Sequence, residues 1–324
     1  MLAMLADFAR RFWPRPLLAG MAVMTATPFL GAHSTLADFV SQFLIQALGG
    51  TLLLVLLFVV TRHWRSAGLA CAALALQCAL LQPSLFPARA ASSVPASVGV
   101  LFSNVYWNNE RLDELAAEIV RLDTDIVVLA EIDERTEVLL DDLAETYPFR
   151  VDCLAHWSCD SAILSRLPIL TDLSDWRGDR WIATSAARFA TPLGPLVVAG
   201  VHLDQPLPPQ RLWRQERQVA GLVDMLAPID DPLLLVGDFN ASPWARVMQR
   251  LAATSGLDIA WGIEGTWPST LPWPMRIAID HALTGRGLAL LHREVVRLPG
   301  SDHKALELRV GLSEQHLAAL AVAE

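Results

Sequence analysis

The chain has 324 residues, 53% of them hydrophobic and only 18% charged, an apolar balance for this length. The first 90 residues hold two of the 34 acids (Asp7, Asp38) and six of the 25 bases (Arg10, Arg11, Arg15, Arg62, Arg65, Arg89), which leaves 32 acids against 19 bases behind them, a net charge near −13. This excludes an intrinsically disordered chain, a disulfide-framework miniprotein with only four Cys, and a protein that wraps duplex nucleic acid by bulk positive charge.

Three stretches in the front part lack any Asp, Glu, Lys or Arg: 22 residues between Arg15 and Asp38, 23 between Asp38 and Arg62, and 23 between Arg65 and Arg89. A helix needs about 20 apolar residues to cross the hydrocarbon core. The runs therefore predict transmembrane helices near 17–36, 40–61 and 66–82 in a membrane region 1–82. Leu52 to Val60 (LLLVLLFVV) is the clearest stretch, and the third run is rich in small residues that let membrane helices pack closely. Thr25, Thr27, Pro28 and His33 dilute the first run, for which a cleaved signal peptide or a re-entrant segment is the alternative. Basic loops stay in the cytoplasm. Arg10, Arg11 and Arg15 before the first run and Arg62 and Arg65 after the second are both inside only with three spans, which places everything after about residue 85 outside, in a periplasm or its equivalent. Two spans would reverse this. Cys153 and Cys159 are spaced for a disulfide without requiring one, and such a bond persists in an oxidising compartment.

Residues 83–96 (PSLFPARAASSVPA) carry Pro, Ser and Ala without periodicity and read as a linker to a domain at 97–312, with 313–324 as a tail. Within that domain short apolar runs predict strands at Val98 to Asn104, Ile126 to Ala130, Ala162 to Ser165, Leu196 to Leu203, Leu233 to Asp238, Ile277 to Leu283 and Ala305 to Val310. Amphipathic runs predict helices at Glu110 to Leu122, Arg135 to Glu145, Pro209 to Met225 and Pro243 to Thr254. The mixture indicates an α/β or α+β sandwich rather than a simple doubly wound sheet. Polar residues gather at strand ends: Asn104, Glu131, His202, Asp238 with Asn240, Asp280 with His281, and Asp302 with His303. Convergence on one rim would bring Glu131, Asp238, Asp280 and Asp302 together, and four carboxylates do not stay ionised side by side without a cation. A hard divalent ion held by oxygen atoms fits, Mg²⁺ first and Mn²⁺ second; zinc fits poorly, because no Cys stands as a ligand pair beside the histidines.

The segments SNVYWNN (103–109), VVLAEID (127–133), ILSRLPI (163–169), VAGVHL (198–203), VGDFNASPW (236–244), IDHAL (279–283) and SDHKAL (301–306), in this order, resemble the endonuclease/exonuclease/phosphatase superfamily. The resemblance implies a four-layered α/β/β/α sandwich and a Mg²⁺-dependent hydrolase of phosphate esters. It further implies Glu131 as principal metal carboxylate with Asn104 and Asp302 beside it, and His303 as general base or phosphate contact oriented by Asp280. Asp238 would stand at the attacking or leaving oxygen, Asn240 would donate to a phosphoryl oxygen, and His202 would steady the transition state or protonate the leaving group. No nucleophilic Ser or Cys motif is present, so water is the expected attacker.

The architecture, helices followed by an outward-facing phosphoesterase domain, resembles the membrane-bound bacterial branch with vancomycin/teicoplanin-resistance-type phosphatases. That implies a multi-pass protein of the bacterial inner membrane acting on a phosphorylated small molecule or lipid. Nucleic acid is the second expectation, weakened by a domain whose single lysine is Lys304; a non-catalytic module keeping the fold is the third. Other residues carry blander expectations. His156, His292 and His316 fall in no strand-end motif, and alternation points His281 away from its neighbour Asp280. Arg166 is either a partner for a carboxylate or a phosphate contact; Arg211, Arg214 and Arg217 form a helical face, with Arg214 or Arg217 a substrate contact as the alternative. Trp261, Trp267 and Trp273 are expected in the core, with a lipid-contacting lip as the alternative.

Overall fold

A computed structural model of the chain describes residues 13–86, 96–155, 159–174, 184–207, 209–260 and 262–323. Arg10, Arg11, His156, Trp261, the side chain of Arg211 and most of the 83–96 linker lie outside the described residues. The chain divides into two compact units, one built on Met1–Pro87, the other on Ala88–Pro243 and Val247–Glu324.

The first unit is helical: α1 (Pro14–Leu30), α2 (Thr35–Ser41), α3 (Leu44–Val60), α4 (Trp64–Leu80) and α5 (Gln82–Leu85). The expected first span is not one helix. α1 stops at Leu30, Ser34 accepts a hydrogen bond from the Ala37 N–H at 3.3 Å and so caps α2, and the two axes differ by 111°. α3 and α4 have 17 residues each, a rise of about 25 Å against a hydrocarbon core of about 30 Å. Among the described residues no single helix is long and apolar enough to cross a membrane, and α1 with α2 passes only as a bent pair. The unit's polarity is inverted. Gln77 Nε2 donates to Thr25 Oγ1 at 2.8 Å in the buried interior, and Thr25 Oγ1 in turn donates to the Met21 carbonyl. Phe58 packs there against the small residues Ala67 and Ala70. Val23, Phe29, Leu53, Leu56, Val60 and Leu69 meanwhile face outward.

The second unit is a sandwich of two six-stranded sheets. One has the order β11-β12-β1-β2-β4-β3, from β1 (Val98–Asn104), β2 (Ile126–Ala130), β3 (Phe149–Asp152), β4 (Ser161–Ser165), β11 (Leu288–Arg297) and β12 (Lys304–Leu312). The other has the order β5-β6-β7-β8-β10-β9, from β5 (Ile169–Asp172), β6 (Ser185–Thr191), β7 (Gly194–His202), β8 (Leu233–Asp238), β9 (Asp258–Ile259) and β10 (Asp280–Gly285). Even-numbered residues of the central strands build the layer between the sheets: Val100, Phe102, Val128, Val198, Leu234, Val236 and Ala282. Odd-numbered ones face out, where Leu101, Val127 and Leu129 meet α6 (Leu112–Leu122) and α7 (Val138–Leu143) through Leu115, Ile119, Leu139, Leu140 and Leu143. Both faces of these strands are thus covered, which is why they read as continuous apolar runs. The remaining helices are α8 (Pro209–Leu226), α9 (Arg246–Ser255) and α10 (Glu314–Ala323). The fold is the expected four-layered α/β sandwich.

The differences have physical reasons. β3, β5 and β9 are short and lie at or near sheet edges, where burial imposes no apolar pattern. In β11 the period of two breaks at an irregularity between Leu290 and His292: Leu288 and Leu290 face the inter-sheet layer before it, Val295 after it. The expected tail 313–324 is helical over α10.

Candidate active site

Period two and register together assemble the rim. β7 runs parallel to β8 with His202 opposite Asp238, and β8 antiparallel to β10 with Asp238 opposite Asp280. The three side chains therefore form one row across neighbouring strands, on the same parity as the inter-sheet core but one step beyond its last apolar residue. Gly237 makes the row tight, because a Cβ there would lie 1.9 Å from the Val201 carbonyl oxygen. On the facing sheet β1 and β2 run parallel and end together, Asn104 opposite Ala130. The chain then turns through left-handed conformations at Tyr106 (φ 67°), Glu131 (φ 61°) and Asn240 (φ 48°). Such strained residues persist only where the surroundings hold them, and they gather at functional sites.

The side chains connect. Asn104 Nδ2 donates to Glu131 Oε1 at 2.9 Å and to Asp238 Oδ2 at 3.2 Å, and the Trp107 N–H donates to Glu131 Oε2 at 2.9 Å. His202 Nε2 and His303 Nε2 stand 3.7 and 3.8 Å from Asp238 Oδ2. Behind His303, Asp280 receives Nδ1 at 2.9 Å. Behind His202, Asp160 receives Nδ1 at 2.6 Å. Asn240 donates its backbone N–H to Asp238 Oδ1 and Nδ2 to the Leu203 carbonyl, both at 2.8 Å, which leaves the second amide hydrogen for a ligand. The turn carrying Asp302 and His303 is fixed by Ser301, whose Oγ donates to the Asn104 carbonyl at 2.6 Å and accepts from the His303 N–H at 3.0 Å. Asp302 Oδ2 accepts from Trp267 Nε1 at 3.1 Å, while its Oδ1 is buried without a partner.

All eight predicted site residues thus lie at this one rim. Asp160, Trp107 and Ser301 were not singled out by sequence. Asp160 carries the only cue, as a carboxylate placed directly before a strand, and that cue is common. His281 points away as alternation requires; Nε2 donates to the Ala241 carbonyl at 2.8 Å. Arg166 is a carboxylate partner rather than a phosphate contact: it pairs with Asp123 and lies 5.0 Å from the Tyr147 ring centroid, at the far end of β4. Arg214 pairs with Asp204 at 2.9 Å and Arg217 stacks on Trp213 at 4.4 Å. Trp267 and Trp273 depart from the core expectation, being 38% and 49% exposed.

Charge explains the cluster's proton affinities. Burial pulls the His202 imidazole down, but the charge and hydrogen bond of Asp160, with Asp238 and Glu131 nearby, overcome this and push its pKa up to about 10. For His303 burial is likewise outweighed, by Asp280, Asp238 and Asp302, again to about 10. Burial and the neighbouring Asp280 charge raise Asp238 to about 6, with His303 and His202 pulling the other way. Both imidazoles are therefore cationic at neutral pH in the metal-free protein.

The residues fit a divalent cation. Asp302 Oδ1 is a buried oxygen with nothing to bind, and each Glu131 oxygen accepts one bond from a neutral N–H. Among the described residues the group whose ligand atoms all lie within 4.8 Å of one another is a different one, Asp238, Asp280 and His303. There His303 Nδ1 and Asp280 already share a proton, so a cation would have to displace it. Glu131 and Asp302 accept only from the neutral N–H groups of Asn104, Trp107 and Trp267, and Asn104 serves in this geometry as the amide that bridges Glu131 to Asp238.

Fold and rim together define a hydrolase fold. The chain belongs to the endonuclease/exonuclease/phosphatase family, whose model matches residues 101–303 and whose members typically hydrolyse phosphate esters. No curated protein matches the chain in sequence. Among solved structures it is similar to an endonuclease/exonuclease/phosphatase from Beutenbergia cavernae (19% identity over 67% of this chain and 72% of that one, TM-score 0.55). It is also similar to the human nocturnin catalytic domain with bound sulfate (18%, 67% and 95%, 0.54) and to a beta toxin variant of Staphylococcus aureus with bound magnesium ions (14%, 68% and 100%, 0.52).

Proposed function

We propose that this protein is a membrane-anchored, metal-dependent phosphoesterase that cleaves phosphate ester or diphosphate bonds by direct attack of water, acting on lipid-linked phosphates outside the bacterial inner membrane. The observation that carries the chemistry is the row His202, Asp238, Asp280 with His303 and Glu131 closing around it. Glu131 and Asp302, with Asn104 alongside, would hold the cation, Mg²⁺ by preference. When bound, such an ion neutralises the carboxylates and the charge that builds on phosphoryl oxygens. The chain's own groups do the rest. Asp238, with its pKa near 6, accepts the proton of the attacking water. The imidazoliums of His202 and His303 donate toward the developing charge and the leaving oxygen, and the second Asn240 amide hydrogen meets a phosphoryl oxygen. Asp280 and Asp160 hold each ring by Nδ1, so that Nε2 faces the reaction.

Support for the anchor is the inverted polarity of α1 to α4, with Gln77 and Thr25 inside and large apolar side chains outside. In water that arrangement is costly; in lipid it is the stable one. The bent pair and the short α3 and α4 fit a helical bundle that tolerates local thinning. The Cys153–Cys159 disulfide supports an oxidising compartment for the second unit.

The test is a substrate panel of a polyprenyl diphosphate, a phosphodiester dye and single-stranded DNA, each with Mg²⁺ and with chelator, for the full chain in detergent and for His303→Ala. Turnover of the first two that chelator and the substitution both abolish is the expected result. Undiminished metal-dependent turnover by His303→Ala removes the mechanism, and preference for DNA replaces the substrate. A topology reporter fused after Glu324 that is active only in the cytosol removes the outward placement.

A further inference from the structure

Resting on that reading, we propose that the Cys153–Cys159 disulfide is a positioning element of the active site: it holds Asp160 against His202, so that its reduction slows turnover while leaving the fold intact. Cys159 directly precedes Asp160, and Asp160 directly precedes β4. Cys153 directly follows β3, the edge strand of its sheet, whose Asp152 pairs with Ala162 of β4. The bond, with the Cα atoms 5.5 Å apart, therefore closes the β3–β4 connection at its catalytic end.

Asp160 is fastened at both of its ends. Its carboxylate takes His202 Nδ1 at 2.6 Å, and its carbonyl accepts the N–H of Ile132, the residue after Glu131, at 2.9 Å. One residue thus ties the disulfide to both the imidazole and the carboxylate side of the rim. Cys153 Sγ is buried, 3.5 Å from the hydroxyls of Ser161 and Ser185, and Ser185 Oγ donates to the Ser161 carbonyl at 2.7 Å. That contact links the bond to β6 in the opposite sheet, so the anchor is rigid. Cys159 is half-buried whereas Cys153 is buried, so Cys159 is the end of the bond at which a thiol attacks.

The redox step balances with a dithiol as reductant. One thiolate attacks Cys159 Sγ; the protein S–S bond breaks and Cys153 leaves as a thiolate that takes up a proton. The second thiol of the reductant then displaces Cys159, which is protonated in turn. The protein gains two electrons and two protons, and the dithiol becomes a cyclic disulfide. Without the cross-link, Asp160 keeps only its backbone bond from Ile132, and its carboxylate no longer holds His202 with Nε2 aimed at Asp238.

The experiment compares oxidised and dithiothreitol-reduced full-length protein on bis(4-nitrophenyl) phosphate with Mg²⁺, beside Cys153→Ser/Cys159→Ser and Asp160→Asn. The expected result is a three- to tenfold fall in kcat on reduction with KM changed less than twofold, the same fall in the double variant, and no further fall when Asp160→Asn is reduced. A readout independent of turnover is the downfield Nδ1–H proton resonance of His202, expected to vanish on reduction while that of His303 remains. Identical kcat in both redox states, or a full reduction effect in Asp160→Asn, overturns the proposal. An oxidised protein with a redox-sensitive His202 resonance but no phosphoesterase turnover sinks the proposed function and upholds the tether.

Discussion

His202 and His303 approach the same carboxylate oxygen at nearly equal distances, 3.7 and 3.8 Å, yet they are held by different means. Asp280, behind His303, is fully buried on a core strand, in register with Asp238. Asp160, behind His202, is partly exposed on a connection at the sheet edge and fixed by a disulfide and one backbone bond. The difference teaches that one half of the rim is set by the core and the other by a loop, so the halves respond differently to perturbation.

Four outcomes sharpen or break that contrast, taken from largest to smallest. Substituting His303 by Ala removes a proton-handling group, and such groups are worth about 10²- to 10⁴-fold; a steady-state assay should show a loss of kcat in that range. Asp280→Asn keeps the shape but loses the charge behind His303, with an expected loss of about 100-fold in kcat and little change in melting temperature. Asp160→Asn should cost about tenfold, because solvent partly replaces the lost carboxylate at a half-exposed site. An equal loss for the two Asn variants would end the distinction between core-set and loop-set halves.

The fourth concerns the residue beside Asp280. Burial holds the His281 pKa down at about 4, whereas an unfolded chain titrates it near 6.5. Between those values the unfolded state binds a proton that the folded state refuses. The stability present above pH 6.5 is therefore lost as pH falls toward 4, about 2 kcal/mol of it by pH 5. Melting curves at pH 7 and pH 5 should show a smaller acid-induced drop for His281→Gln than for the unsubstituted protein.

The core-set half was legible in the sequence. Asp238, Asp280 and His303 stand at the ends of apolar runs long enough to be strands, and IDHAL and SDHKAL mark them plainly. The alternation that sent His281 to the other face was equally readable, and its bond to the Ala241 carbonyl agrees. Of the loop-set half only His202 was. Asp160 owes its place to a hydrogen bond from a histidine 42 residues away, and nothing in CDS distinguishes it from any acid before a strand. Edge strands β3 and β5 failed for a related reason: with one side unpaired they need no apolar alternation. In the helical unit, composition marked the helices, but their ends are set by the turn at Gly31 and the Ser34 cap, which interrupt the first uncharged run, and by the turn at Arg62, which closes the second.

The opposition of His202 to Asp238 across two parallel strands bears on which insertions and deletions the gene can accept. Lengthening the connection between β7 and β8 at its exposed turn, Ala227 and Pro228, alters only surface chain. Removing a single codon within β7 slides its last residue by one place, which turns the imidazole to the opposite face and brings Leu203 level with Asp238. Length variation in this chain should therefore accumulate between the strands, while β7 and β8 keep a fixed count of residues.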